Sequence, residues 1–208
     1  MYVNKVKILL NELDIQIIDE GVIIYHDNNG NIPLENHYAI RLNENNNWEF
    51  CFVQLERRNL PEYRQIKEFH SKEEALTYFF LDRLRDYFMT NIVSKKVDFS
   101  VKNWNQEILK ERLEVCNITQ GYIFYENIYS LNSFEENGDW YNSLSDREGK
   151  IIVVSPPLAD KNTAYLSTFR RIYLLHLFFQ YLEKERVKQC INEKFTDMEI
   201  ARYLKYNL

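Results

Sequence analysis

The side chains able to do chemistry are scattered along the chain. His26, His37, His70 and His176 show no paired ligand spacing, and a histidine beside a strand end is more often a hydrogen-bonded surface group than a catalyst. Cys51, Cys116 and Cys190 are odd in number, widely spaced and set among apolar residues, with no CxxC pair that would point to zinc or redox work. They read as reduced core thiols. The adjacent carboxylates Asp19-Glu20 and Glu135-Glu136 have the residue types of an acid and base pair, yet such pairs in polar segments are normally solvated. No phosphate loop, nucleophile elbow, HExxH, EF-hand loop or dinucleotide fingerprint occurs. The expectation is a chain without catalytic residues, metal or cofactor.

Recognition is the chemistry these residues suit better. Glu35, Glu44, Glu135, Glu136, Asp139, Asp146 and Glu148 fall in or beside expected loops, where carboxylates are presented without burial. Tyr38, Tyr63, Tyr129, Trp140 and Tyr141 lie near them, and rigid aromatics ringed by polar groups suit an interface anchor. The densest combination is Ser133 to Trp140, read as one loop holding two adjacent carboxylates, a glycine turn and an aromatic. The expected partner-binding set is Glu135, Glu136, Asp139, Trp140 and Tyr141, with Glu44 and Tyr38. A partner rich in Lys or Arg would be steered to such a surface.

The elements that must carry these residues follow from length and pattern. The 208 residues are 45% hydrophobic, 15% aromatic and 27% charged with five Gly and four Pro, which excludes collagen-like, low-complexity and disordered classes. A net charge of -5 gives no field to recruit nucleic acid or an anionic membrane. Met1 to Leu13 is broken by Asn4, Lys5 and Lys7 and does not match a secretion signal. Ile172 to Leu182, the most apolar stretch, is about half the length of a membrane span. A cytoplasmic protein with no membrane contact is expected.

Helical spacing covers residues 3 to 14, and strands are read at Val22 to Tyr25, His37 to Leu42 and Trp48 to Leu55. The Asn28 to Asn31 cluster supplies a turn between the first two. Ser71 and Glu74 match a capping box opening a long helix to about Val93. Its inward stripe is Ala75, Leu76, Phe79, Phe80, Leu84 and Tyr87 or Phe88, with Asp82 facing water. The second half restarts: a helix over Trp104 to Val115, strands at Tyr122 to Tyr125, Asn127 to Leu131, Trp140 to Leu144 and Lys150 to Val154, and a long helix from Thr163 to about Lys188.

Ile8, Leu9, Leu13, Ile18, Gly21, Ile23 and Tyr25 recur 100 residues later, and Phe79-Phe80 recur as Phe178-Phe179. The expected fold is therefore α+β, two tandem α-β-β-β-α repeats with antiparallel sheets packed against long helices. The repeats span 1–93 and 104–190, joined by a linker at 94–103, and residues 191–208 add a C-terminal docking helix capped at Thr196. Leu13, Ile23, Phe79, Leu113, Ile123 and Phe178 are expected in the core.

Trp48-Glu49-Phe50, Glu56-Arg57-Arg58 and Phe69-His70-Ser71-Lys72-Glu73-Glu74-Ala75 together resemble small immunity proteins of bacterial polymorphic toxin systems, over about residues 48 to 80. The resemblance implies a non-catalytic cytosolic protein that binds and neutralises a cognate protein toxin, such as a basic nuclease, with no direct contact to nucleic acid. The competing reading is an enzyme or small-molecule binding module using a cleft between the two repeats.

Overall fold

The first helix, α1 (Val3–Asn11), buries Val6, Leu9 and Leu10 on one face, as its 3.6-residue apolar spacing requires. A computed structural model describes residues 1–27, 35–55, 60–97, 101, 103–118, 123–124, 129–188, 190–192 and 194–206, side chains of Asp27, Ile123 and Phe124 excepted. After α1 come β1 (Gln16–Asp19), β2 (Ile23–Asp27), β3 (His37–Leu42), β4 (Trp48–Gln54) and β5 (Glu62–Phe69). They form one antiparallel sheet in sequential order. α2 (Lys72–Phe88) runs on through a π turn at Met89–Val93 into α3 (Ser94–Lys96), with helical backbone at both junctions.

The second series is α4 (Gln106–Val115), β6 (Ile123–Phe124), β7 (Tyr129–Glu136), β8 (Asp139–Asp146), β9 (Ile151–Val154), α5 (Lys161–Val187) and α6 (Asp197–Tyr203). Its four strands also pair antiparallel in sequential order. The class is α+β, as the sequence indicates. No described helix is long and apolar enough to cross a membrane.

The chain divides into two compact units, Met1–Leu84 with Glu185–Glu193, and Arg85–Lys184 with Lys194–Leu208. This division departs from the expected 1–93 and 104–190 with a linker at 94–103. It cuts inside α2 and α5, because both long helices contribute core residues on either side of the cut.

In the first unit Ala75, Leu76, Phe79, Phe80 and Leu84 form the inward stripe of α2, all at or below 2% exposure. Asp82, expected in water, is buried beside Arg83, whose Nη2 donates to its carboxylate at 2.5 Å. Ser71 Oγ accepts from the Glu74 N–H at 3.2 Å, while the return bond of a full capping box is not made among the described residues. The sheet is apolar on its other face too, where Tyr25, Ala39, Cys51 and Val53 are buried with Ile18, Ile23, Leu55 and Tyr63 against them. Burial, with Glu49 nearby, pushes the Cys51 thiol up to about 12, which makes it the inert core thiol the sequence implies.

In the second unit α5 is the central element. Trp104 and Phe169 ring centroids lie 5.2 Å apart on one side, Phe88 and Tyr181 at 6.1 Å on another, and Phe178 and Tyr203 of α6 at 4.7 Å on a third. A helix packed on several sides is apolar around most of its circumference. α4 starts at the Asn105 cap, whose Oδ1 accepts from the N–H groups of Glu107 and Ile108. α6 carries the capping box expected at Thr196, with Glu199 as its return arm.

The tandem α-β-β-β-α unit is not what the chain builds. The first unit has five strands where three are read, since β1 and β5 lie in sequence too short or too polar to be read as strands, and the second has four. Leu13 and Ile23 are half-buried, while Phe79, Phe178 and Leu113 are buried as expected. Gly121, the Asn28 to Asn31 cluster, Glu56 to Arg58, Tyr122 and Tyr125, part of the 94–103 linker and the Ile123 side chain lie outside the described residues. The helix ends correspond at a different spacing from the letters. The Ile15 N–H donates to Leu10 O at 3.0 Å and the Ile118 N–H donates to Leu113 O at 2.8 Å, so equivalent positions stand 103 residues apart. A three-residue offset is close to one helical turn, so the identities within the helices, Ile8 and Leu9, keep roughly the same face.

The Tyr206 N–H repeats that bond to Ala201 O at 3.0 Å. These closures place Asp14, Asn117 and Lys205 in the left-handed region at φ 58°, 59° and 56°, where glycine is the usual occupant. Asn and Asp tolerate this region better than lysine does. Lys205→Gly is therefore expected to stabilise the protein by about 0.5–1 kcal/mol, after the entropy cost of glycine in the unfolded chain. Asn117→Gly should gain less. Urea denaturation of both variants against the parent checks the order.

Candidate functional site

The stretch from Ser133 to Trp140 is a β-hairpin, not a loop. Glu136 pairs with Asp139, Glu135 with Trp140, Phe134 with Tyr141 and Ser133 with Asn142. Asn137 and Gly138 close it at φ 54° and 88°, the two positive values of a type I′ turn that matches the twist of the strands. Period two then divides the expected site residues between two faces of the sheet.

Glu135 and Trp140 share the face turned to α5. On this face Ser133 Oγ meets Thr168 Oγ1 at 2.8 Å, the Trp140 ring is 5.8 Å from that of Tyr165, and Lys161 Nζ lies 5.8 Å from its centroid. The Trp140 carbonyl also accepts from the Leu158 N–H at 2.8 Å. Trp140 therefore anchors the strand to the helix start, with its side chain half-buried. Glu135 is exposed at the hairpin end but points to the same side.

The opposite face gathers Phe134, Glu136, Asp139 and Tyr141. The Phe134 and Tyr141 rings are stacked at 5.6 Å and 22°, both half-buried, with Glu136 and Asp139 exposed beside them. Partial desolvation first, then the carboxylates of Asp139 and Glu136, push the Tyr141 hydroxyl above its ordinary value, with a hydrogen bond to Asp139 adding to the effect. Val154, opposite Ser143, and Ile151, opposite Ser145, extend this face with aliphatic surface, 37% and 56% exposed. The result is an apolar and aromatic strip with an acidic end.

Other acidic candidates are engaged in turns. Asp146 Oδ1 accepts from the N–H groups of Glu148 and Lys150 at 3.0 and 2.9 Å, so it holds the β8–β9 turn. Glu44 is exposed in the Asn43–Asn47 turn, which Asn43 Oδ1 organises by accepting from Asn45 and Asn47. Tyr38, read at the start of the His37 to Leu42 strand, is within β3, stacked with Phe50 at 5.4 Å and covered by the Arg83 guanidinium at 4.6 Å. Tyr63 lies in β5 under the Arg41 guanidinium at 4.0 Å. Tyr129 is buried, its hydroxyl donating to Asp197 at 2.8 Å. Glu44 and Tyr38 belong to the first unit and the hairpin residues to the second, so neither unit holds all seven.

Phe134 is the site residue that sequence reading misses. Its signal is present: Asn137-Gly138 between alternating side chains marks a tight hairpin, and the register that follows puts Phe134 opposite Tyr141. Among the described residues no group of three His, Cys, Asp or Glu is arranged to hold a metal ion. His37 Nδ1 is bonded to the Glu35 carbonyl at 2.9 Å, and burial lowers the His176 value. No protein-family model, curated protein or solved structure matches this chain.

Proposed function

We propose that this chain is a non-catalytic, cytoplasmic immunity protein that docks a basic protein toxin on the open face of the β7–β8 hairpin. The observation that carries the reading is the stacked Phe134–Tyr141 pair bordered by Glu136 and Asp139 on a face that α5 does not cover. Rigid stacked rings lose little entropy on docking and supply the apolar anchor. The flanking carboxylates supply the long-range attraction that raises the encounter rate with a cationic partner. The short type I′ turn holds both in fixed register, so little ordering is required on binding.

The test is co-expression with a toxin encoded beside this gene, combined with association kinetics on the purified pair. Reversing Glu136 and Asp139 to Lys together should abolish protection and slow association about tenfold or more, whereas Glu135→Lys, on the other face, should have a small effect. Raising salt from low to physiological should slow association more than it speeds dissociation. Protection that survives the Glu136 and Asp139 reversal would overturn this surface, and a neighbouring toxin that neither binds nor is neutralised would overturn the function.

A further inference from the structure

A second surface feature lies on the five-stranded sheet. Tyr38, Phe52 and Arg64 are directly opposite one another across β3, β4 and β5, so they form a row on one face. With Gln65 and Ile66 they line an open cavity of about 480 Å³, within the size range of small-molecule sites. The sheet pairing shifts here: Phe50 pairs with Lys67 and Cys51 with Gln65, which leaves Ile66 as the extra residue of a bulge. Bulges re-aim neighbouring side chains and recur beside binding sites.

The polar groups around this cavity differ in a way that bears on its occupant. Arg83, over the Tyr38 ring, is neutralised by Asp82 at 2.5 Å. Arg64 is exposed and, among the described residues, its side chain has no hydrogen-bonding or ionic partner. The floor is aromatic, with Tyr38 and Phe52 rings tilted at 5.2 Å and Phe52 half-buried. An aromatic floor takes a flat ring, and an unneutralised guanidinium in a chain of net charge -5 takes an anion in bidentate fashion.

We propose that this cavity binds a small molecule made of a planar aromatic ring bearing an anionic group, the ring lying on Phe52 and the anion held by Arg64. Ile66 closes the apolar side. A nucleotide and an aromatic carboxylate share this chemistry.

The experiment is an amide-detected NMR titration of the full chain with adenosine monophosphate and with para-hydroxybenzoate, each beside its neutral counterpart, adenosine and para-hydroxybenzamide. The expected result is saturable shifts at Gln65 and Ile66 with at least one anion, about tenfold tighter than its neutral counterpart, and weakened about tenfold by Arg64→Gln. Binding by one anion alone identifies the source, and binding by both supports the shared chemistry. The Arg64 side chain makes no described hydrogen bond or ion pair, so this variant should fold as the parent does, checked by circular dichroism; Phe52→Leu offers a second variant aimed at the ring. The proposal is overturned if neither anion shifts these amides, if the neutral molecules bind equally well, or if Arg64→Gln binds as the parent does.

Discussion

Replacing Phe178 with alanine should destabilise the protein by about 3–5 kcal/mol, measured as a lower urea midpoint with an unchanged slope. The Phe178 side chain is completely buried, with ring centroids of Phe179, Phe195 and Tyr203 at 5.5, 5.3 and 4.7 Å. Its surroundings have little freedom to collapse into the space. The Tyr203 hydroxyl is tied to the Leu174 carbonyl at 3.1 Å, and Arg171 holds the end of α6 by donating from Nε to Leu204 O at 3.2 Å. The cost of the cavity therefore adds nearly in full to the lost burial. A domain of ordinary stability has about 5–15 kcal/mol in total, so this one truncation consumes a large share. Phe134→Ala, on the open hairpin face, should cost much less; equal losses at the two sites would contradict the described packing.

Arg41→Met should produce a loss of similar size, about 3–5 kcal/mol, for an electrostatic reason. Glu49 is only 3% exposed and receives the Arg41 Nε–H at 2.5 Å, with Arg41 also stacked over Tyr63. Removing the guanidinium leaves a carboxylate inside the sheet face beside Cys51, without the partner that offset its desolvation. Removing both charges should restore most of the loss, since a buried pair gains little over apolar groups of similar shape. The double-mutant cycle of Arg41→Met with Glu49→Leu separates the coupling from lost packing. If the double variant is as unstable as the single one, the stacking of Arg41 on Tyr63 stabilises the sheet more than its ion pair with Glu49 does.

Helices are legible where apolar spacing and caps agree. The stripe of α2, the Thr196 start and the extent of α5 all follow from residues a few positions apart. Strands are legible only where they are central. β4, with Phe50, Cys51 and Val53 buried, reads as an apolar run, but β5 carries Glu62, Arg64, Lys67 and Glu68 and sits at a sheet edge with an extra residue at Ile66. Its bulge breaks the alternation and its polarity suits the edge. The hairpin at Asn137-Gly138 is hidden by the same density of carboxylates that makes it look like a loop. Composition finds the charges there, but only the turn chemistry divides them between two faces. The cavity row Tyr38, Phe52 and Arg64 depends on pairing across three strands, which no local spacing encodes.

The Glu185–Glu193 segment belongs to the first unit, where Lys188 Nζ reaches Glu12 at 2.6 Å and Glu185 is fully buried. A ribosome making this chain therefore releases Met1–Leu84, then the whole of Arg85–Lys184, before the last piece of the first unit emerges. N-terminal regions usually finish folding first during synthesis, but here the earliest-made unit must wait as an incomplete intermediate while all of Arg85–Lys184 is translated. Its five-stranded sheet spends that interval without the Lys188 contact to α1. Nascent chains stalled just before Glu185 should accordingly be cut by protease within α1 more readily than chains stalled well beyond Glu193.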